Sequence, residues 1–138
     1  MISSETRLTV NYYETDAMGY AHHSNYIRYF ETARTEMFKK LGISYAKMEE
    51  NGVMMPVTHV ECRYIRPARF DETITICVVI KQLPISRMHL EYEVINENRR
   101  KMCEGSVSLA YINRHSRRPC RAPEDVISIL RPYFAQEI

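Results

Sequence analysis

No stretch of this chain stays apolar long enough to cross a bilayer, and residues 1–8 hold no apolar run of the kind that directs secretion. The expectation is a cytoplasmic protein without a membrane span. The formal net charge is only +2, from 19 lysines and arginines against 17 acids. That leaves no broad basic surface for nucleic acid, so any basic function must be local. Four cysteines, Cys62, Cys77, Cys103 and Cys120, lie far apart and form no CxxC pair. Three fall in strand-like runs, where buried free thiols are the usual occupants, so neither disulfides nor a zinc site are expected. Internal repeats, linkers and low-complexity segments are also missing.

What is present is ordinary globular material. The 138 residues are 45% hydrophobic and 26% charged, which predicts one domain over residues 1–138. A chain of this length buries roughly 68% of the surface its unfolded form exposes, enough for a true core.

Residues 7–13 (RLTVNYY) alternate and predict a first strand. A loop over 14–24 leads to a helix over 25–41. Its apolar stripe is Tyr26, Phe30, Ala33, Met37 and Leu41, joined by Ile27 and Phe38. The spacing of four, three, four and four keeps these on one face, with Arg28, Glu31, Arg34, Glu36, Lys39 and Lys40 on the other. Ser24 or Asn25 is placed to cap the start, and Gly42 to end it. After a mixed segment closing on Met54-Met55-Pro56, period two takes over. Strands are predicted over 57–65, 72–81, 87–95 and 101–112, with connections at 82–86 and 96–100 short enough for antiparallel hairpins. A basic loop over 113–123 then leads to a short helix near 124–130. One half-apolar helix against one half-apolar sheet is an α+β domain. A five-stranded sheet also has edges that must be paired, covered or charged, and pairing two copies is one solution.

The chemistry is concentrated in residues 12–34, YYETDAMGYAHHSNYIRYFETAR. An acid, a turn glycine, two histidines and an asparagine run straight into a helix start. Asp16 can make a turn with Gly19 and nothing more. His23 can be a polar residue at a helix start, Asn25 a cap, and Tyr26, Tyr29 and Phe30 simple core. His22 and His23 make a poor metal site, because adjacent side chains seldom aim at one ion and no further ligand cluster appears. Residues 113–121 carry Arg114, Arg117, Arg118 and Arg121 and no acid. They read either as a solvated loop or as a site for phosphates, which arginine binds through paired donors.

Taken together, these residues carry a resemblance. Asp16, Gly19, His23 and Tyr26 stand at the spacing seen in hot-dog-fold acyl-CoA thioesterases of the 4-hydroxybenzoyl-CoA and Tol–Pal-associated types. Glu31-Thr32-Ala33-Arg34 resembles the E-x-A-R of their central helix, and Tyr64-Ile65-Arg66-Pro67-Ala68-Arg69-Phe70-Asp71 a connection between two of their strands. The likeness runs from about Glu5 to Ile112. Met18 departs from it, standing where many relatives have a smaller residue.

The resemblance implies a hot-dog fold, a long central helix wrapped by a five-stranded antiparallel sheet. It implies hydrolysis of acyl-coenzyme A without cofactor or metal. Asp16 becomes nucleophile or general base. The helix N-terminus, through residues 23–26, becomes the oxyanion site, because it offers unpaired N–H groups and about half a positive charge. His23 is assigned to catalysis, Gly19, His23, Asn25 and Tyr26 to positioning, and Arg114, Arg117, Arg118 and Arg121 to coenzyme A. The working unit is expected to be a homodimer or homotetramer, with Asp16 and the helix start facing each other between subunits. A non-catalytic acyl-thioester-binding module and a thioester dehydratase or hydratase are the alternatives; a binding module has no need of Asp16.

Overall fold

A computed structural model describes residues 1–135; residues 136–138, the end of the domain expected over 1–138, lie outside the described residues. The strands are β1 (Ile2–Thr9), β2 (Val53–Met54), β3 (Val57–Tyr64), β4 (Thr73–Ile80), β5 (Arg87–Ile95), β6 (Lys101–Ala110) and β7 (Ile112–Asn113). The helices are α1 (Asn25–Leu41), α2 (Tyr45–Glu50) and α3 (Glu124–Leu130). Five strands form one antiparallel sheet in the order β1-β4-β5-β6-β3, and β2 and β7 form a two-stranded ladder beside it.

Alternation decides the sheet's two faces. Ile74, Ile76, Val78 and Ile80 of β4, and Met88, Leu90, Tyr92 and Val94 of β5, are all buried. They meet Tyr26, Tyr29, Phe30, Ala33, Met37 and Phe38 of α1 in one core. The Phe30 ring stacks on Tyr92 with centroids 4.3 Å apart. The opposite face is polar, laced by Lys81–Glu91, Lys101–Glu93, Lys101–Glu104 and Arg63–Glu104 ion pairs at 2.8–3.5 Å. Solvent and salt screen exposed pairs of this kind, so they solubilise the face more than they hold it.

The helix occupies the residues its periodicity marks, and Gly42 ends it at φ +82°, where any side chain would be strained. Elsewhere the structure corrects the periodic reading. The first strand is Ile2–Thr9 rather than 7–13, because Tyr12–Glu14 turn into a 3-10 helix instead. The Asn11 N–H donates to Glu14 Oε1 at 2.7 Å and so ends the extended run. The mixed segment contains α2, capped by the Ser44 side chain on the Lys47 N–H. Arg34 belongs to the buried side of α1, only 7% exposed, with its Nε donating to the Tyr45 hydroxyl at 2.9 Å. Its long apolar stem lets a charged residue occupy a position between core side chains. Ile27 is exposed instead.

Candidate active site

The approach to α1 is a small hairpin. Thr15 and Ala21 bridge antiparallel. The Asp16 N–H donates to the Tyr20 carbonyl at 2.8 Å, and the Gly19 N–H to the Asp16 carbonyl at 3.0 Å. Gly19 has φ +78°, the left-handed conformation on which a three-residue hairpin loop ends. Asp16 Oδ1 accepts the N–H groups of Met18 (2.9 Å) and Tyr20 (3.3 Å). Oδ2 has no partner among the described residues. The turn and a chemical role therefore coexist: one oxygen orients the carboxylate and the other stays available. Met18 is 72% exposed and does not crowd the acid within the chain.

Glu14 ties this hairpin to the helix. Its buried carbonyl accepts the His22 N–H and Asn25 Nδ2, both at 2.8 Å. Asn25 Nδ2 also reaches the His22 carbonyl at 3.2 Å. Asn25 is thus a strut, and the expectation that Ser24 or Asn25 caps α1 is not met. Ser24 holds the N-cap position in a helical conformation without a side-chain cap bond, its hydroxyl engaged with His22 Nδ1 at 2.8 Å. The segment over 64–71 clamps the hairpin from outside. Tyr20 bridges Arg69, the Ala21 N–H donates to the Ala68 carbonyl at 2.7 Å, and the Arg69 guanidinium lies 5.6 Å from the Tyr20 ring centre.

The four N–H groups over residues 23–26 are not equivalent. Ser24 donates to His22 Nδ1 (3.2 Å), Asn25 to the His22 carbonyl (2.9 Å) and Tyr26 to the His23 carbonyl (3.3 Å). Only the His23 N–H has no acceptor among the described residues. Around it stand aromatic rings. His22 and His23 lie 4.1 Å apart, and Tyr64 sits edge-on to both His23 (6.1 Å) and Tyr26 (5.3 Å). Burial pushes the Tyr26 hydroxyl up to about 12. Burial first, and then the Glu14 carboxylate, push Tyr29 higher still. Both phenols stay neutral at physiological pH, so neither competes with Asp16 as a base.

Within one chain the four loop arginines are elsewhere. The loop follows β6 and β7, whereas Tyr64, next to His23, lies opposite Cys103 near the start of β6. Strand β6 runs on seven residues from Cys103 to Ala110, roughly 23 Å at the usual rise, before the loop begins. The Arg114 N–H donates to the Gly52 carbonyl and its guanidinium reaches the Glu49 carbonyl at 3.4 Å, so this arginine fastens the loop to α2. Arg117, Arg118 and Arg121 are exposed. Troughs of about 1100, 410 and 520 Å³ are lined by neither Asp16 nor His23.

The sequence reading did not single out Glu14 or Tyr64. Asn11-x-x-Glu14 has the spacing of a capping box, a signal open to inspection. Tyr64 is 41 residues from His23 and has no local signal.

A long helix lying across a five-stranded antiparallel sheet, fed by an acid-bearing hairpin, is the hot-dog architecture. The pattern of the Thioesterase-like superfamily matches residues 10–130, and the chain belongs to that superfamily. It is similar to the DHNA-CoA thioesterase of Staphylococcus aureus, whose crystal structure superposes with a TM-score of 0.91 at 31% identity, covering 99% of this chain and 94% of that one. It is 24% identical over 119 residues to the acyl-CoA thioester hydrolase YbgC of Escherichia coli, spanning 86% of this chain and 89% of that protein. It is 27% identical over 90 residues to the 1,4-dihydroxy-2-naphthoyl-CoA hydrolase of Thermosynechococcus vestitus, 64% of this chain and 62% of that protein.

Proposed function

We propose that the described residues, 1–135, form a single hot-dog domain that hydrolyses acyl-coenzyme A to the free acid and coenzyme A, with Asp16 as the reacting carboxylate. One observation carries the assignment of residues. A short hairpin presents an oriented carboxylate with one free oxygen, and of the four N–H groups over residues 23–26, at the start of a 17-residue helix, that of His23 alone has no acceptor among the described residues. In the reaction the His23 N–H and the helix dipole stabilise charge developing on the thioester oxygen. Asp16 Oδ2 either attacks the carbonyl carbon or takes a proton from the attacking water. The leaving thiol, with a pKa of about 8.5 if it behaves like cysteine, departs without obligatory protonation. Hydrolysis over a panel of acyl-CoA thioesters tests the reading, and no turnover of any member overturns it.

The proposed working unit is a dimer joined through β3. The two sheet edges differ: Lys40 Nζ reaches the Ser4 hydroxyl and the Glu5 carbonyl of β1 at 3.4 and 3.3 Å. On β3, Val57 and Tyr64 are each about half exposed, and among the described residues the strand carries no such cover. Antiparallel pairing of β3 with its copy sets the Val57 end of one strand beside the Tyr64 end of the other. The partner's basic loop then lies at the end of the sheet that holds Asp16 and His23. The resemblance implies that Asp16 of one subunit and the helix start of the other face each other across this interface. Light scattering should report twice the 16.3 kDa of one chain; full activity from a monomer at nanomolar concentration contradicts the arrangement.

If the loop holds the nucleotide phosphates, reversing charge at Arg117 and Arg118 raises KM for coenzyme A thioesters by about tenfold or more, as lost charge-assisted hydrogen bonds would. A truncated N-acetylcysteamine thioester lacks those phosphates and should be little affected. Equal losses on both substrates assign the loop a structural role.

A further inference from the structure

His23 lies between two restraints. Upstream, the His22 N–H is held by the Glu14 carbonyl at 2.8 Å. Downstream, the His23 carbonyl accepts the Tyr64 hydroxyl at 3.2 Å as well as the Tyr26 N–H at 3.3 Å. The Tyr64 hydroxyl comes from the last residue of β3, 41 positions away, and it makes the only side-chain hydrogen bond that joins the edge strand to this backbone among the described residues. Its ring is held independently by the buried Tyr26 ring, 5.3 Å away. Removing the hydroxyl alone therefore leaves the packing in place and releases one end of the His23 residue.

We propose that Tyr64 is a positioning residue for thioester hydrolysis: its hydroxyl holds the His23 carbonyl and thereby orients the backbone whose N–H polarises the substrate carbonyl. The inference rests on the reading of the His23 N–H as the oxyanion donor. A hydrogen bond is strongest when nearly linear and weakens steeply as its angle falls, so a small rotation of the 22–23 peptide costs transition-state stabilisation out of proportion to its size. Tyr64 touches no reacting atom. Its placement on β3 also makes the donor's orientation depend on the edge strand, the element proposed to pair with the second copy.

The test uses Tyr64→Phe, with Asp16→Asn as a second variant, and two non-hydrolysable coenzyme A ligands. One ligand is a ketone in which a methylene separates sulfur from the carbonyl; the other is the matching thioether without the oxygen. In the parent protein the ketone binds more tightly than the thioether, and this ratio reports the carbonyl donor. Tyr64→Phe is expected to lower kcat about tenfold, less than loss of a direct oxyanion donor, with KM within about twofold. It should also collapse the ketone-to-thioether ratio, with thermal midpoint and mass by light scattering unchanged. Asp16→Asn should lose turnover and keep the ratio. A Tyr64→Phe protein with parental kcat and ratio overturns the positioning role, as does one that loses its assembly or melts early. A parent that binds both ligands equally refutes the oxyanion reading itself, and the inference falls with it.

Discussion

Asp16→Asn is expected to fold and assemble like the parent and to lose about a thousandfold in kcat, the middle of the range that a positioned acid–base group supplies. The amide retains one oxygen, which can still accept the Met18 and Tyr20 N–H groups that Asp16 Oδ1 now accepts. The hairpin survives, while the position of Oδ2 receives a nitrogen with neither charge nor lone pair to offer. Asp16→Ala removes both functions and should add a loss of stability that Asp16→Asn does not show. Steady-state kinetics on the best acyl-CoA, paired with circular dichroism, separates the two effects. Parental kcat in a folded Asp16→Asn protein sinks the assignment. Label found in Asp16 after a single turnover in ¹⁸O water then establishes the anhydride route. If water attacks the thioester directly, label enters only the acid product; if an anhydride on Asp16 is opened at its aspartyl carbonyl, label enters Asp16 instead.

Gly105→Ala should cost at least about 3 kcal/mol, the upper end of ordinary overpacking, because the obstacle is backbone. Gly105 sits in β6 between Tyr92 of β5 and Cys62 of β3. A Cβ there would lie 2.3 Å from the Glu61 carbonyl oxygen and 2.9 Å from the Phe30 ring. Neither can yield freely. The carbonyl belongs to the neighbouring strand, and Phe30 is fully buried against Tyr92. Relief requires β3 to part from β6 or α1 to lift from the sheet, and either movement displaces Tyr64 and the helix start. For a chain of this size the thermal midpoint should fall by about 10 °C. An unchanged midpoint would show that the helix and sheet are less closely seated than these distances require.

Periodicity was a reliable guide wherever one face of an element meets one core. Helix α1 and strand β5 occupy the residues their spacing marks, and α3 does likewise. A repeat of 3.6 or 2 survives only if burial is one-sided along the whole element. It failed where a local polar contact competes with extension. Asn11 and Glu14 turn the chain before Tyr13, and Ser44 starts a two-turn helix too short to show a stripe. It failed also at Arg34, whose burial depends on Tyr45 arriving from the next helix.

The site divides along the same line. The linear order of residues settled that an acid, a turn glycine and a helix start lie within ten positions, because a hairpin and a helix cap are local structures made by neighbours. It settled as well which strand faces are apolar, and hence that one helix covers one sheet. Folding in three dimensions decided the remainder. It occupied three of the four candidate N–H donors and left that of His23. It brought Tyr64 to the His23 carbonyl across 41 residues, and set the basic loop at the far end of the sheet from Asp16. Contacts such as these depend on strand order and register, β3 lying next to β6 rather than beside its neighbours in sequence. Register is a collective outcome of core packing, fixed only when the whole sheet has met its helix.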